Sequence, residues 1–286
     1  MGGGVLDPAM WTPLRDGAGG PDLVLTVDFG GARPEAGFVE LAARLPADRT
    51  VLATRPPDRV VDDPADAARQ IDAWRDAVLA TGARVSAVIG YCSGAAVAAR
   101  LAQDLTAHRH RVGLVLVDPA VATHELLLDA YRNSIESLGA VLDQPPDTGD
   151  EVSGPGPGRT GMVDLARRLG DSYARVAGQV GRELELDDEL VEDLVVRFQR
   201  YLSYLVVAAV AELPASLTGQ SAALPVLTVL SAVHPEDAVP IVGDRRVRFD
   251  ISRADLLADA GVGRLVAEFI TGRSATPAPG PGRARH

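Results

Sequence analysis

The stretch Val88-Ile89-Gly90-Tyr91-Cys92-Ser93-Gly94-Ala95-Ala96 decides the fold of this chain. Residues 84–89, most of them apolar, predict a short buried strand, and residues 95–105 predict a helix with Ala, Val and Leu on one face. A small–x–nucleophile–x–small pattern between a strand and a helix is typical of a nucleophile elbow. Its central residue occupies a strained turn, so the residues two before and two after it must be small.

The glycine spacing selects Cys92 rather than Ser93 as the central residue. Gly90 and Gly94 flank Cys92 at the required distance, whereas Ser93 would have the bulky Tyr91 two residues before it. Cys92 would also open a helix, whose partial positive charge favours the reactive thiolate. The alternative is that Cys92 is a buried structural thiol, as free cysteines usually are.

The composition limits the class of protein. A chain of 286 residues, 47% of them hydrophobic, suits one large domain or a domain with an inserted cap. The formal net charge of −11 argues against nucleic acid as a partner. The N-terminus lacks the basic and apolar regions of a secretory signal, and the most apolar stretch, residues 201–213, is too short to span a bilayer. The sequence therefore predicts a cytoplasmic protein without a membrane partner.

Short apolar segments alternate with helical patterns over the first part of the chain, which is typical of a parallel sheet covered on both faces. The predicted strands are 22–28, 50–54, 84–89 and 111–117, and the predicted helices are 35–45, 64–81 and 95–105. Helices are then predicted at 124–142, 162–180 and 187–213, with a Pro/Gly/Asp-rich loop at 144–161. Strands return at 225–230 and 246–251, and a last helix is predicted at 254–271.

This order divides the chain into a core, an insert and two ends. Residues 21–123 and 220–272 are expected to form the α/β core, and residues 124–219 a helical lid inserted into it. Residues 1–20 are predicted to be a flexible N-terminus, and residues 273–286 a disordered tail. An insert between strands fits a lid over the carboxyl edge of the sheet, where such folds bind ligands.

The chain resembles the α/β-hydrolase fold, and most of all the thioesterases of polyketide and nonribosomal peptide synthesis. Gly90-Tyr91-Cys92-Ser93-Gly94 matches the Gly-Tyr-Ser-x-Gly of that family, in which Cys sometimes replaces the nucleophilic Ser. Three further features are individually weaker: Asp118 ends the next strand, 26 residues after Cys92, Phe29-Gly30-Gly31 follows the first strand, and a helical segment precedes the strand at 225. The resemblance covers about residues 20–272.

The resemblance implies a mostly parallel central sheet with helices on both faces and an inserted helical lid. It also implies a covalent acyl intermediate on Cys92, with Asp118 orienting and stabilising a catalytic His. The backbone N–H of Ser93, with one from Gly31 or Ala32, would form the oxyanion hole. From the residues alone, Asp118 could equally cap the following turn, and the glycines before Ala32 could form an ordinary turn.

The catalytic His of the family has no obvious counterpart in this sequence. The family places it after the last strand, but residues 247–257 contain no His, and Ser252 or Arg253 occupies roughly the expected place. His234 ranks first among the remaining candidates because it follows the strand at 225–231, and His124, six residues after Asp118, ranks second. An isolated loop His is most often only solvated.

The function implied by the resemblance is thioesterase-like processing of an acyl thioester in natural-product biosynthesis, such as that of antibiotics. The substrate would be carried on the phosphopantetheine arm of an acyl or peptidyl carrier protein, with no cofactor or metal in the enzyme. Hydrolysis needs a general base to activate water, whereas exchange between thiols needs it less. The missing His therefore favours an acyl or aminoacyl transferase that acts between thiols over a hydrolase.

Two other classes of function stay open. A catalytically silent α/β-hydrolase fold could serve as a binding protein, which the missing His favours and the intact elbow opposes. An esterase or amide-cleaving enzyme that acts on a free small molecule is the other possibility.

Overall fold

The computed structural model describes residues 7–18, 20, 22–28, 37–57, 60–140, 158–212, 224–235 and 244–274. The strands are β1 (Trp11–Arg15), β2 (Asp22–Val27), β3 (Arg49–Thr54), β4 (Arg84–Tyr91), β5 (Gly113–Val117), β6 (Val226–Leu230) and β7 (Arg245–Arg248). The helices are α1 (Phe38–Ala42), α2 (Pro64–Ala80), α3 (Gly94–Ala107), α4 (His124–Gly139), α5 (Gly158–Glu183), α6 (Asp188–Ala211) and α7 (Ala260–Ser274).

The strands form one sheet in the order β1-β3-β2-β4-β5-β6-β7. Only β1 runs antiparallel to its neighbour; the pairings among the other six strands are parallel. The predicted mostly parallel sheet is confirmed. Carboxyl ends of parallel strands meet at one edge of the sheet, so residues that follow β4, β5 and β6 come together there.

The central strands are buried on both faces. Alternate residues of β2 and β4 belong to different cores: Leu25 and Val88 face the core that contains α2, α3 and the inserted helices, whereas Val24 and Ile89 face the one that contains α1 and α7. A strand that is covered on both faces must be apolar at nearly every position. This is why β2, β4 and β5 stand out as apolar runs in the sequence.

The N-terminal segment contains a strand that the sequence analysis missed. The prediction of a flexible segment over residues 1–20 is wrong for Trp11–Arg15, which pairs with β3 at the sheet edge. Trp11 is buried, and its indole N–H donates to the carbonyl of Trp74 at 3.0 Å. Pro13 is tolerated because an edge strand has a free side where no N–H donor is needed.

Helices α4, α5 and α6 lie between β5 and β6, as the predicted insert requires. Helix α5 begins at Gly158, so the last residues of the predicted loop are helical; residues 141–157 lie outside the described residues. Helices α5 and α6 pack against each other through aromatic side chains, with the ring centroids of Tyr173 and Phe198 4.3 Å apart. The Asp187 carboxylate caps α6 by accepting a hydrogen bond from the Glu189 N–H at 2.8 Å.

The apolar stretch at 201–213 is too short by itself to span a bilayer, but α6, which contains most of it, is long and apolar enough to cross a membrane, the one such helix among those described. In the structure, residues 202–208 of this helix are buried, and it packs against α2, α3 and α5. Helices buried in this way in the core of a protein have the same composition as a membrane span.

The predicted helix 254–271 consists of two elements. Residues Arg253–Ala258 form a 3-10 turn, and α7 follows from Ala260. Asp259 separates them with an extended backbone, and its carboxylate accepts a hydrogen bond from the Val262 N–H at 2.9 Å, which caps the start of α7. The predicted disordered tail lies outside the described residues beyond Ser274.

Candidate active site

Cys92 occupies the tight turn between β4 and α3. Its φ of 52° lies in the left-handed region, which costs a residue with a side chain of order 1–3 kcal/mol. Backbone hydrogen bonds hold it there: its N–H donates to the carbonyl of Val117 at 3.0 Å, and its carbonyl accepts from the N–H groups of Ala95 and Ala120, each at 3.1 Å. The turn is therefore fixed by the strand on one side and the helix on the other.

Gly90 allows β4 to approach α3, and Gly94 allows α3 to approach β2. A Cβ atom at Gly90 would lie 2.6 Å from the Cβ of Ala98 and 2.7 Å from the Cα of Ala95. A Cβ atom at Gly94 would lie 2.5 Å from the carbonyl oxygen of Val27. None of these three distances is compatible with a side chain, so the glycine spacing in the sequence reflects the close contacts that an elbow needs.

Cys92 and Ser93 differ in exposure. Cys92 is partly exposed, whereas Ser93 is completely buried at the N-cap of α3, and the two side chains are 3.7 Å apart from sulfur to oxygen. A substrate that enters from solvent therefore meets the thiol. The Ser93 backbone N–H stands at the helix start, where an oxyanion donor is predicted. The other predicted oxyanion residues, Gly31 and Ala32, lie outside the described residues.

Asp118 lies beside the elbow. Tyr91 and Val117 are partners in the β4–β5 ladder, so Cys92 and Asp118 are the next residues at the carboxyl edge. The Asp118 carboxylate is buried, with 3% of the residue exposed, and both of its oxygens accept from Ser231. The Ser231 backbone N–H donates to Oδ1 and the Ser231 hydroxyl donates to Oδ2, each at 2.7 Å.

Ser231 was missed in the sequence analysis, although a signal exists. It directly follows the buried strand β6, and a polar residue at the carboxyl end of a parallel strand is well placed to reach the neighbouring strand end. Asp118 itself has a left-handed backbone, with φ 43°, a conformation that Asp tolerates better than most residues.

His234 lies at the same edge, in the loop after β6. Its backbone carbonyl accepts from the Arg248 guanidinium at 2.9 Å, which also binds the Ser231 carbonyl at 2.8 Å and so pins this loop to β7. Burial lowers the pKa of the His234 imidazole, the Asp118 charge opposes this, and the nearby arginines Arg248, Arg253 and Arg246 lower the pKa further. Within the described part of the chain, no hydrogen bond joins this imidazole to Asp118 or Cys92.

His124, the second predicted candidate, begins α4. Its Nε2 is buried and finds no hydrogen-bond partner among the residues that the structure describes. His110 lies at the opposite edge of the sheet, where its Nδ1 accepts from the Val85 N–H at 3.3 Å. The geometry thus brings Cys92, Asp118 and the loop of His234 to one edge and leaves His110 far from it.

Arg253 completes the arrangement around the thiol. Its guanidinium Nε lies 3.9 Å from Oδ2 of Asp118, and the group stands over the Tyr91 ring at 5.6 Å from the centroid. The Tyr91 hydroxyl donates to the Arg253 carbonyl at 3.2 Å, which fixes the start of the 3-10 turn. The sequence placed Arg253 near the position of the family's His but gave no sign of these contacts.

Comparison with solved structures identifies the architecture. The Vlm2 thioesterase domain, bound with a dodecadepsipeptide, is similar with a TM-score of 0.54 at 17% identity, covering 93% of this chain and 98% of that one. The fold is that of the α/β-hydrolases. BorB, a type II thioesterase from the borrelidin biosynthetic cluster, gives a TM-score of 0.51 at 17% identity over 92% of this chain and 98% of BorB.

A third match is part of a larger protein. AB3403, a four-domain nonribosomal peptide synthetase bound to AMP and glycine, matches with a TM-score of 0.54 at 18% identity over 94% of this chain and 20% of that one. No protein-family model matches this sequence, and no curated protein matches it. At these identities the α/β-hydrolase fold is what the neighbours share with this chain.

At the carboxyl edge of the sheet, the described residues supply a thiol, a buried carboxylate, a guanidinium and a half-buried imidazole. No three His, Cys, Asp or Glu side chains among them come together as a metal site. The chemistry available from these groups is nucleophilic attack by sulfur with electrostatic support.

Proposed function

We propose that this protein processes acyl thioesters through a covalent acyl intermediate on Cys92. The main support for the proposal is the strained turn at Cys92, which lies between Gly90 and Gly94 and beside the buried carboxylate of Asp118. Strained backbone persists only where the surrounding structure imposes it, and it is concentrated at functional sites.

The proposed reaction begins with attack of the Cys92 thiolate on the thioester carbonyl carbon. A carbon–sulfur bond to Cys92 forms, the bond to the carrier's sulfur breaks, and the carrier leaves as a thiolate that takes a proton from solvent. The Ser93 backbone N–H would stabilise the oxyanion of the tetrahedral intermediate. The acyl group then leaves Cys92 by hydrolysis or by transfer to an acceptor.

The proposed substrate is an acyl group on the phosphopantetheine arm of an acyl or peptidyl carrier protein, and the proposed setting is natural-product biosynthesis in the cytoplasm. The structural neighbours support this choice, since they are a thioesterase domain, a type II thioesterase and a nonribosomal peptide synthetase. The protein would need no bound cofactor, because the thioester bond is already activated for attack by a thiolate.

Intact-protein mass spectrometry tests the proposal. After mixing with an acyl thioester of N-acetylcysteamine, wild-type protein is expected to gain the mass of one acyl group, and Cys92→Ala is expected to gain none. Cys92 is the single Cys of the chain, so every thiol adduct reports this site. The same thioester and wild-type protein in denaturant give the background rate for an unstructured thiol.

Two results would contradict the proposal. One is a wild-type protein that neither forms an adduct nor consumes thioester; the other is consumption that Cys92→Ala leaves unchanged. The first result would favour the second candidate function, a catalytically silent binding protein. The observation behind that candidate is that Asp118 bonds to Ser231, while no described His ring is hydrogen-bonded to this carboxylate.

A further inference from the structure

The position beside Asp118 that a catalytic base would occupy is held by a cation. The Arg253 side chain is 40% exposed, against 4% for that of Asp118, so a partly exposed cation stands beside a buried carboxylate. Its Nε faces Oδ2 of Asp118 at 3.9 Å, and the aromatic face of Tyr91 lies under it at 5.6 Å. A guanidinium on an aromatic face and beside a carboxylate is held by both.

Arg253 is also electrostatically linked to the nucleophile. Burial lowers the pKa of the Arg253 guanidinium, but electrostatic interactions with Cys92, Tyr91 and Asp118 and the hydrogen bond with Tyr91 raise the pKa above its usual value. Cys92 contributes the largest of these opposing interactions. The guanidinium therefore lies within electrostatic range of Cys92.

We infer that Arg253 is a positioning residue that stands beside Asp118 in the place of a catalytic base and so leaves the acyl group of Cys92 to a thiol acceptor instead of water. A guanidinium has five donors and no acceptor, and it stays charged at any physiological pH. It can stabilise a thiolate or a developing oxyanion, but it cannot take a proton from water. The inference rests on the proposed acyl–Cys92 intermediate.

The transfer to a thiol needs no protein base. The acceptor thiol loses its proton to solvent, and its thiolate attacks the carbonyl carbon of acyl–Cys92. A carbon–sulfur bond to the acceptor forms, the bond to Cys92 breaks, and Cys92 leaves as a thiolate beside Arg253. Thiolates are good nucleophiles and good leaving groups, so the step runs in both directions. Hydrolysis lacks this advantage because water must be deprotonated as it attacks.

His234 is the described group at this edge that could act as a base. Burial and the surrounding arginines lower its pKa, so the imidazole is largely neutral at pH 7. Whether His234 acts as a base is therefore tested by how quickly acyl–Cys92 hydrolyses and by whether that hydrolysis depends on His234.

The experiment follows the lifetime of acyl–Cys92. The adduct is formed with an acyl thioester of N-acetylcysteamine, freed of excess reagent, and monitored by intact-protein mass spectrometry at pH 7, in buffer alone and with pantetheine as the thiol. Wild type is compared with Arg253→Met, Arg253→Lys and His234→Ala. Arg100→Met serves as a control, because Arg100 is a half-exposed arginine paired with Asp104 on the surface of α3.

The wild-type adduct is expected to persist in buffer and to discharge at least about tenfold faster with pantetheine. Arg253→Met is expected to slow both formation and discharge about three- to tenfold, since removal of one nearby charge has an effect of this order. Arg253→Lys keeps the charge and is expected to recover most of both rates, which a purely structural role would not produce. Arg100→Met is expected to behave as wild type.

Two results overturn the inference while leaving acyl–Cys92 intact. In one, the wild-type adduct is lost in buffer as fast as with pantetheine and becomes long-lived in His234→Ala, which makes His234 a hydrolytic base. In the other, Arg253→Met forms and discharges the adduct at wild-type rates. Absence of any wild-type adduct is a different result, because it rejects the proposed function itself.

Discussion

Gly90→Ala is expected to destabilise the protein by about 3 kcal/mol, at the upper end of the range for overpacking a close contact. The added Cβ would lie 2.6 Å from the Cβ of Ala98, 2.7 Å from the Cα of Ala95 and 2.8 Å from the Gly94 carbonyl oxygen. Two of these three atoms are backbone, so no rotamer change relieves the contact. Strand β4 and helix α3 must separate, and the strained turn at Cys92 opens with them.

Urea denaturation measures this change, and Gly272→Ala is the matched control. Gly272 lies in α7, and a Cβ there meets no atom within 4 Å. Because Ala is the better helix former, Gly272→Ala is expected to stabilise the protein by about 0.5–1 kcal/mol. If Gly90→Ala were as stable as wild type and equally reactive at Cys92, the close approach of strand and helix would not be needed to shape the site.

Asp118→Ala is expected to cost about 1–3 kcal/mol of unfolding free energy, as leaving buried hydrogen-bond donors without their acceptor does. The substitution leaves the N–H and the hydroxyl of Ser231 buried without their acceptor. It also places Ala at a φ of 43°, where a residue without a short polar side chain is less favourable.

Asp129→Ala is the control for Asp118→Ala, because it removes an aspartate that lies on the surface. Asp129 pairs with Arg132 on α4, with about 60% of each side chain exposed, and such surface pairs contribute about 0–1 kcal/mol.

The double variant Asp118→Ala, Ser231→Ala should be less destabilised than the sum of the two single variants, since both partners of one hydrogen bond are removed together. Additive losses would contradict a direct coupling between Asp118 and Ser231.

Much of the fold could be predicted because it depends on local patterns. The buried strands β2, β4 and β5 are continuous apolar runs, and the glycines around Cys92 can be read from spacing alone. Strand β1 was missed because Trp11-Thr12-Pro13-Leu14-Arg15 follows a Gly-rich start and contains a proline. The place of β1 in the sheet depends on a contact between residues that are far apart in the sequence, the burial of Trp11 against α2. The local sequence pattern does not reveal that contact.

The candidate site was predictable only in part, for the same reason. Cys92 and Asp118 end neighbouring strands, so the sheet order alone brings them together. Ser231 and Arg253 reach Asp118 because of how the loop after β6 and the 3-10 turn after β7 are folded. Those backbone paths depend on contacts such as the one between Tyr91 and Arg253, which join residues far apart in the sequence.

The alkylation rate of Cys92 tests most directly whether the elbow presents a reactive nucleophile. The rate constant with iodoacetamide at pH 7 is measured for the native protein and for the chain unfolded in urea, with N-acetylcysteine in each solution as the reference thiol. A thiol that is partly exposed at a helix start is expected to react at least about tenfold faster in the native protein than in the unfolded chain. A native thiol that reacts more slowly than the unfolded one would show that Cys92 is a buried structural residue.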